Sequence, residues 1–166
     1  ARQVFDEARK QAGQSGSATA RIATALGSAE AALAAGENES ALAALAKLHD
    51  EAQALGHLPL ILESGELLAR AQERSGHLAE AEKQLRAGLR AADGHQPWAG
   101  RFRIHAQLAS VLAGLGRKSE ADVQRRAAAD EIERLRKGLD AAQKPAFEQL
   151  EEVKQLAGPT RIDRAA

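Results

Sequence analysis

Three glycines recur at intervals of 40 residues: Gly36, Gly76 and Gly116. Each opens a polar stretch that turns apolar: Gly36-Glu-Asn-Glu-Ser-Ala41, Gly76-His-Leu-Ala-Glu-Ala81 and Gly116-Arg-Lys-Ser-Glu-Ala121. A second alanine precedes each glycine by seven residues, at Ala29, Ala69 and Ala109. A fixed period of this length is the mark of a chain assembled from one repeated supersecondary unit. The unit reads as a helix, a glycine turn and a second helix. Glycine can take the left-handed conformation that ends the first helix. The alanines allow the two helices to approach near the short end of the usual range of about 8–10 Å.

Composition supports helices throughout. The chain of 166 residues holds 39 alanines and 21 leucines, the best apolar helix formers, and is 2% aromatic. The scarcity of β-branched and aromatic residues argues against a β-sandwich. Without cysteine a disulfide scaffold is excluded. Ample apolar surface at zero net charge argues against disorder. Lys plus Arg and Asp plus Glu number 23 each, and no third of the chain departs from neutrality by more than two charges. Neither a nucleic acid nor an anionic membrane surface is therefore an expected partner, because both require a basic face. The longest apolar stretches, such as Leu58 to Leu62, fall far short of the about 20 residues that cross a bilayer. No signal-peptide core follows Arg2, which favours the cytoplasm, and the first residue is alanine rather than methionine, as in an excised or processed piece.

Cap signals place the helices. The first pair is expected at about Ser17–Ala35 and Asn38–Leu55, with Asn38 as a candidate cap. In the second pair, Pro59 suits the first turn of a helix running to Ser75, and Leu78–Ala92 follows. The third pair opens near Pro97, turns at Gly116, takes Ser119 as a candidate N-cap and ends near Gly138. Core stripes fall on Leu85 and Leu89, on Leu108, Val111, Leu112 and Leu115, and on Ala121, Ala128, Ile132, Leu135 and Leu139. Val4–Gln11 reads as an extra N-terminal helix. Beyond Gly138 a short helix is expected, then a break around Pro145, then a helix with Phe147, Leu150 and Val153 on one face, able to cover the last repeat. The expected architecture is an all-α solenoid of antiparallel helix pairs. It forms one domain over residues 1–157, with repeats at about 17–56, 57–94 and 95–138, a capping segment at 139–157 and a tail at 158–166.

This arrangement resembles the tetratricopeptide repeat family. Ala69, Gly76 and Ala81, and likewise Ala109, Gly116 and Ala121, stand at the small-residue and turn positions of that family's motif. Leu85 matches its large apolar residue in the second helix. Gly88 and Ala128 match its next small position, where the first repeat has Leu48 instead. The period of 40 exceeds the family's usual 34 or so, the usual aromatics are missing, and the terminal proline is displaced to Pro59 and Pro97. Long-repeat variants of this kind, found in multidomain bacterial signalling proteins, are the nearer likeness. The resemblance implies a non-enzymatic interaction module belonging to a larger bacterial regulator, binding a protein or peptide in a groove lined by the first helix of each pair. Mapped onto that groove are Glu63, Glu66, Arg70, Glu73, Arg74, Arg103 and Ser110. The arginines are the best candidates for gripping carboxylates, although Glu66 and Arg70 are four apart and can satisfy each other.

Catalytic and metal-binding patterns are wanting. No two of His49, His57, His77, His95 and His105 have helical zinc spacing, and no phosphate loop, cysteine nucleophile or nucleophile elbow occurs. No enzyme activity, metal or cofactor is expected. His57, His77 and His95 each follow a glycine and read as turn residues near helix C-termini, with a His57–His95 metal site a remote alternative. Trp98 and Phe102, four apart, are either core or an exposed binding hot spot. Two rival readings remain: a bundle whose apolar seams make a homodimer, and a phosphorelay bundle exposing His49.

Overall fold

The computed structural model describes residues 16–93, 100–150 and 153–154. Among these residues the protein is all-helical, with α1 (Ala18–Ala34), α2 (Asn38–Leu55), α3 (Leu58–Arg74), α4 (Leu78–Ala92), α5 (Arg101–Gly114), α6 (Lys118–Gly138) and α7 (Lys144–Glu148). The chain divides into two compact units, Ala1–Gly94 and His95–Ala166. In the first, each helix packs on the next and α1 also packs on α3; in the second, α5 packs on α6. The expected N-terminal helix at Val4–Gln11 and the tail lie outside the described residues.

The glycine period corresponds to one turn built three times, bond for bond. At the end of α3, Gly76 has φ +82°, its N–H donates to the Glu73 carbonyl at 3.1 Å, and the next N–H, of His77, donates to the Gln72 carbonyl at 2.8 Å. These two bonds satisfy carbonyls that the helix end would otherwise orphan. The pattern recurs where Gly36 bonds Leu33 and Glu37 bonds Ala32, and where Gly116 bonds Ala113 and Arg117 bonds Leu112. The residue that closes one helix also opens the next: the carbonyls of Glu37, His77 and Arg117 accept from Ala41, Ala81 and Ala121, all at 3.0 Å.

This economy explains two departures from expectation. Neither Asn38 nor Ser119 is a cap. Both lie inside the first turn of their helices, and no side chain caps α2, α4 or α6. The turn enters the next helix one residue after the glycine, leaving no room for a separate capping residue. The turn between pairs differs. Gly56 closes α2 in the left-handed conformation, and His57 then caps α3, its Nδ1 accepting from the Leu60 N–H over a long 3.4 Å. His57, one residue past the end of α2, thus also serves the N-terminus of α3. Ser17 does the same for α1, accepting from the Ala20 N–H at 3.2 Å.

Burial follows the period. Ala29, Ala69 and Ala109 are buried, as are Ala41, Ala81 and Ala121. A third register, Ile22, Leu62 and Phe102, is buried too. Ile22, Leu26, Leu33, Leu45, Leu60 and Leu68 belong to a core cluster in the first unit. Ala81→Leu is expected to overpack α4 and cost about 1–3 kcal/mol in urea denaturation, against a near-neutral Ala79→Leu on the exposed side of the same turn. Equal costs at the two sites would remove Ala81 as a close-packing position.

The C-terminal segment differs from expectation. Pro145 does not break a helix; it occupies the first turn of α7, where its missing N–H costs nothing. The break comes earlier. Leu139 is extended, and the Asp140 carboxylate accepts from the Ala142 and Gln143 N–H groups at 2.9 and 2.8 Å, holding a turn. Val153 is buried against Phe102 and Ile132, and Phe147 packs on that cluster, but Leu150 is exposed.

Candidate functional site

The expected groove residues of α3 are largely spent on the protein itself. Glu66 is buried, and the Arg70 guanidinium spans it and α1, donating to Glu66 at 2.9 Å and to Glu30 at 3.3 Å. The first contact is the i, i+4 pair read from sequence; the second reaches a helix 40 residues away. Arg74 donates to the Leu33 carbonyl in the last turn of α1, which also accepts from Gly36, placing a cation where the helix dipole favours it. Arg70 and Arg74 thus tie α3 onto α1. Glu63 is exposed and Glu73 half-buried.

In the second unit, Arg103 is half-buried and Ser110 exposed. Phe102 is 4% exposed inside the cluster with Ile132 and Val153, so it is a core residue and not a surface anchor. Trp98 lies outside the described residues. A buried carboxylate recurs here: Glu131 on α6 pairs with Arg134 at 2.8 Å and with Arg101 of α5 at 3.4 Å. In both units a buried glutamate is met by an arginine that joins two helices or by arginines from two helices. Such pairs are costly to break but add little net stability over apolar packing.

The most constrained polar site was not visible in the sequence. His49 of α2 is 6% exposed. Its Nδ1 lies 2.9 Å from the Ser64 hydroxyl on α3, and its Nε2 lies 2.8 Å from the Gln53 amide nitrogen and 2.9 Å from that of Gln84 on α4. Ser64 donates its proton to the Ile61 carbonyl at 3.2 Å, so it accepts from Nδ1–H. Two amide N–H groups converge on Nε2, which is therefore the unprotonated acceptor. Desolvation holds the ring's pKa below the ordinary 6.5, with the neighbouring Asp50 carboxylate opposing. Gly65 makes the space: a Cβ there would stand 2.9 Å from the Gln84 amide nitrogen and 3.3 Å from His49 Cε1.

A serine beside a histidine suggests a nucleophile and its base, but this pair is built otherwise. Ser64 is fully buried and its hydroxyl proton is committed to a backbone carbonyl. The far side of the ring meets two amides rather than an orienting carboxylate. Nor is the ring offered to a phosphodonor, since both nitrogens are engaged inside the protein. The sequence did hold a signal: Glu63-Ser64-Gly65-Glu66 interrupts an otherwise apolar stretch, Leu60 to Leu68, and an interior glycine commonly marks close approach.

A second imidazole–amide pair sits in the other unit, where His105 Nδ1 lies 2.8 Å from Gln124 Oε1. Gln124 stands 40 residues after Gln84, and His105 stands 40 after Gly65. One repeat thus carries its own imidazole at this register. The preceding one leaves the place to glycine and receives the ring from α2. Among the described residues no group of three or more His, Cys, Asp or Glu is placed to hold a metal, and no helix is long and apolar enough to cross a membrane. His95 of the alternative metal pair lies outside the described residues.

No protein-family model matches the sequence, and neither does any curated protein. Among solved structures the chain is similar to BtubC (BKLC) from P. vanneervenii, at a TM-score of 0.66 and 19% sequence identity. The likeness covers 92% of this chain and 58% of that one. At this identity it shows a shared fold.

Proposed function

We propose that the chain is a non-enzymatic protein-interaction module, a helical solenoid of antiparallel pairs of the tetratricopeptide type. In this reading it is the scaffolding part of a larger cytoplasmic bacterial regulator. The observation that carries it is the turn repeated bond for bond at Gly36, Gly76 and Gly116, which marks one structural unit used three times. Stacked units of this kind have extended surfaces suited to recognition. The packing of α1 on α3 as well as on α2 supports stacking of the first helices. The fold shared with BtubC is compatible with this and assigns no partner.

A protein or peptide partner is bound by the first helices of the pairs, each unit offering contacts of its own: Glu63 of α3 in the first, Arg103 and Ser110 of α5 in the second. Arg70 and Arg74 are poor sites for testing it, because replacing either one loosens α3 from α1. A displayed peptide library selected on the full chain is the direct test. Selected peptides are expected to lose about tenfold or more in affinity, about 1.4 kcal/mol, on Glu63→Lys or Arg103→Glu, with unchanged circular dichroism. Val123→Ser, on α6, should leave affinity intact. Absence of enriched peptides, or binding indifferent to both charge reversals, would overturn the assignment.

A further inference from the structure

We propose that the His49 cluster is a proton-operated latch: the neutral ring ties α2 to α3 and α4, and protonation at Nε2 in mildly acidic solution releases that tie. The geometry is suited to one protonation state. Nε2 accepts from the amides of Gln53 and Gln84, while Nδ1–H donates to Ser64. A proton on Nε2 would face two N–H donors, so one amide must turn its oxygen inward or withdraw. Gln53 is on the exposed side of α2 and is free to swing. The Gln84 amide is confined over Gly65, in the space that a Cβ would fill. Losing the Gln84 bond removes a hydrogen bond that links α2 to α4.

The surroundings give a charged ring little help. From α3 it meets the Ser64 hydroxyl and the Gly65 backbone, and from α4 the Gln84 amide, none of them charged. α1 supplies no bond to the ring. The opposing charge is Asp50, exposed and next to it on its own helix. The ring's folded pKa is lowered by burial, so the unfolded or opened chain binds the proton more tightly. The tie is therefore complete above pH 6.5, weakens below it, and is lost once pH falls beneath the ring's value in the folded chain. This latch does not depend on the identity of any partner.

Histidine NMR titration of the full chain, combined with amide hydrogen exchange at pH 7.5 and 5.0, tests the proposal. The His49 resonance, assigned by its absence in His49→Gln, is expected to titrate below pH 6.5. After correction for intrinsic rates, protection of α2 and α3 amides should fall by about tenfold for each unit of that displacement. The fall should be missing in His49→Gln. In Gln84→Glu a carboxylate replaces the amide at Nε2, so the ring should titrate above 6.5 and protection should persist at pH 5.0. The latch is overturned if His49 titrates at or above 6.5 in the unaltered chain, or if His49→Gln keeps the full fall. If His49→Gln fails to fold, Gln84→Glu decides alone: retained protection at pH 5.0 supports the latch, and an undiminished fall overturns it.

Discussion

Leu85→Ala is expected to destabilise the first unit by about 2–5 kcal/mol, and Leu45→Ala by a similar amount. Both side chains are fully buried, and they stand 40 residues apart on the second helices of their pairs. Truncation removes three carbons from each site and leaves a cavity that flanking helices can only partly fill. The same register in the next repeat is Arg125, which is exposed and pairs with Asp122 at 2.5 Å one turn away. Arg125→Ala should therefore stay within about 0.5 kcal/mol of neutral. Urea denaturation followed by circular dichroism reads all three. A loss at Arg125 comparable to that at Leu85 would mean that burial does not follow the helix register assigned to these units.

The contrast at this register shows what a sequence can reveal of such a fold. Gly36, Gly76 and Gly116 were legible because a left-handed turn residue leaves a mark in the alphabet: few residues other than glycine tolerate it. Ala41, Ala81 and Ala121 were legible for a related reason, since close helix approach demands a small side chain. The register of Ile22, Leu62 and Phe102 is as deeply buried but carries a different residue in each repeat. A core position asks only for apolar volume, and isoleucine, leucine and phenylalanine all supply it. Asn38 and Ser119 are not caps because a turn that ends and begins helices on one residue needs no capping side chain.

Polar contacts divide by range. Glu66 and Arg70, four apart on one helix, could be paired on paper; the reach of Arg70 to Glu30 and of Arg74 to the Leu33 carbonyl could not. Those bonds join residues 40 and 41 positions apart, so they exist only once α3 lies on α1. The distinction changes the functional reading. Arg70 and Arg74, which looked like groove ligands, hold α3 to α1. The His49 cluster is the extreme case. Its four side chains come from three helices, and the glycine that admits them looks like a mere interruption in sequence.

That glycine gives the second large effect. Gly65→Leu is expected to cost on the order of 3–5 kcal/mol, combining overpacking with the rupture of a buried polar network. Any branched side chain at this site must displace both the Gln84 amide and the His49 ring, taking from the imidazole its bonds to Ser64 and Gln84. Gly65→Ala discriminates more finely. Alanine within a helix gains about 1 kcal/mol over glycine. Its Cβ would lie 2.9 Å from the Gln84 amide nitrogen, so the amide must move and its bond to His49 is lost, a cost of similar size. The two effects should nearly cancel. In a Gln84→Ala background no amide remains to be displaced, and the helical gain should emerge as added stability of about 0.5–1 kcal/mol. A double-mutant cycle in urea, with pH held at 7.5, measures the difference. If Gly65→Ala stabilises both backgrounds equally, Gly65 is not reserved for the Gln84–His49 contact, and the link from α4 to α2 does not depend on that space.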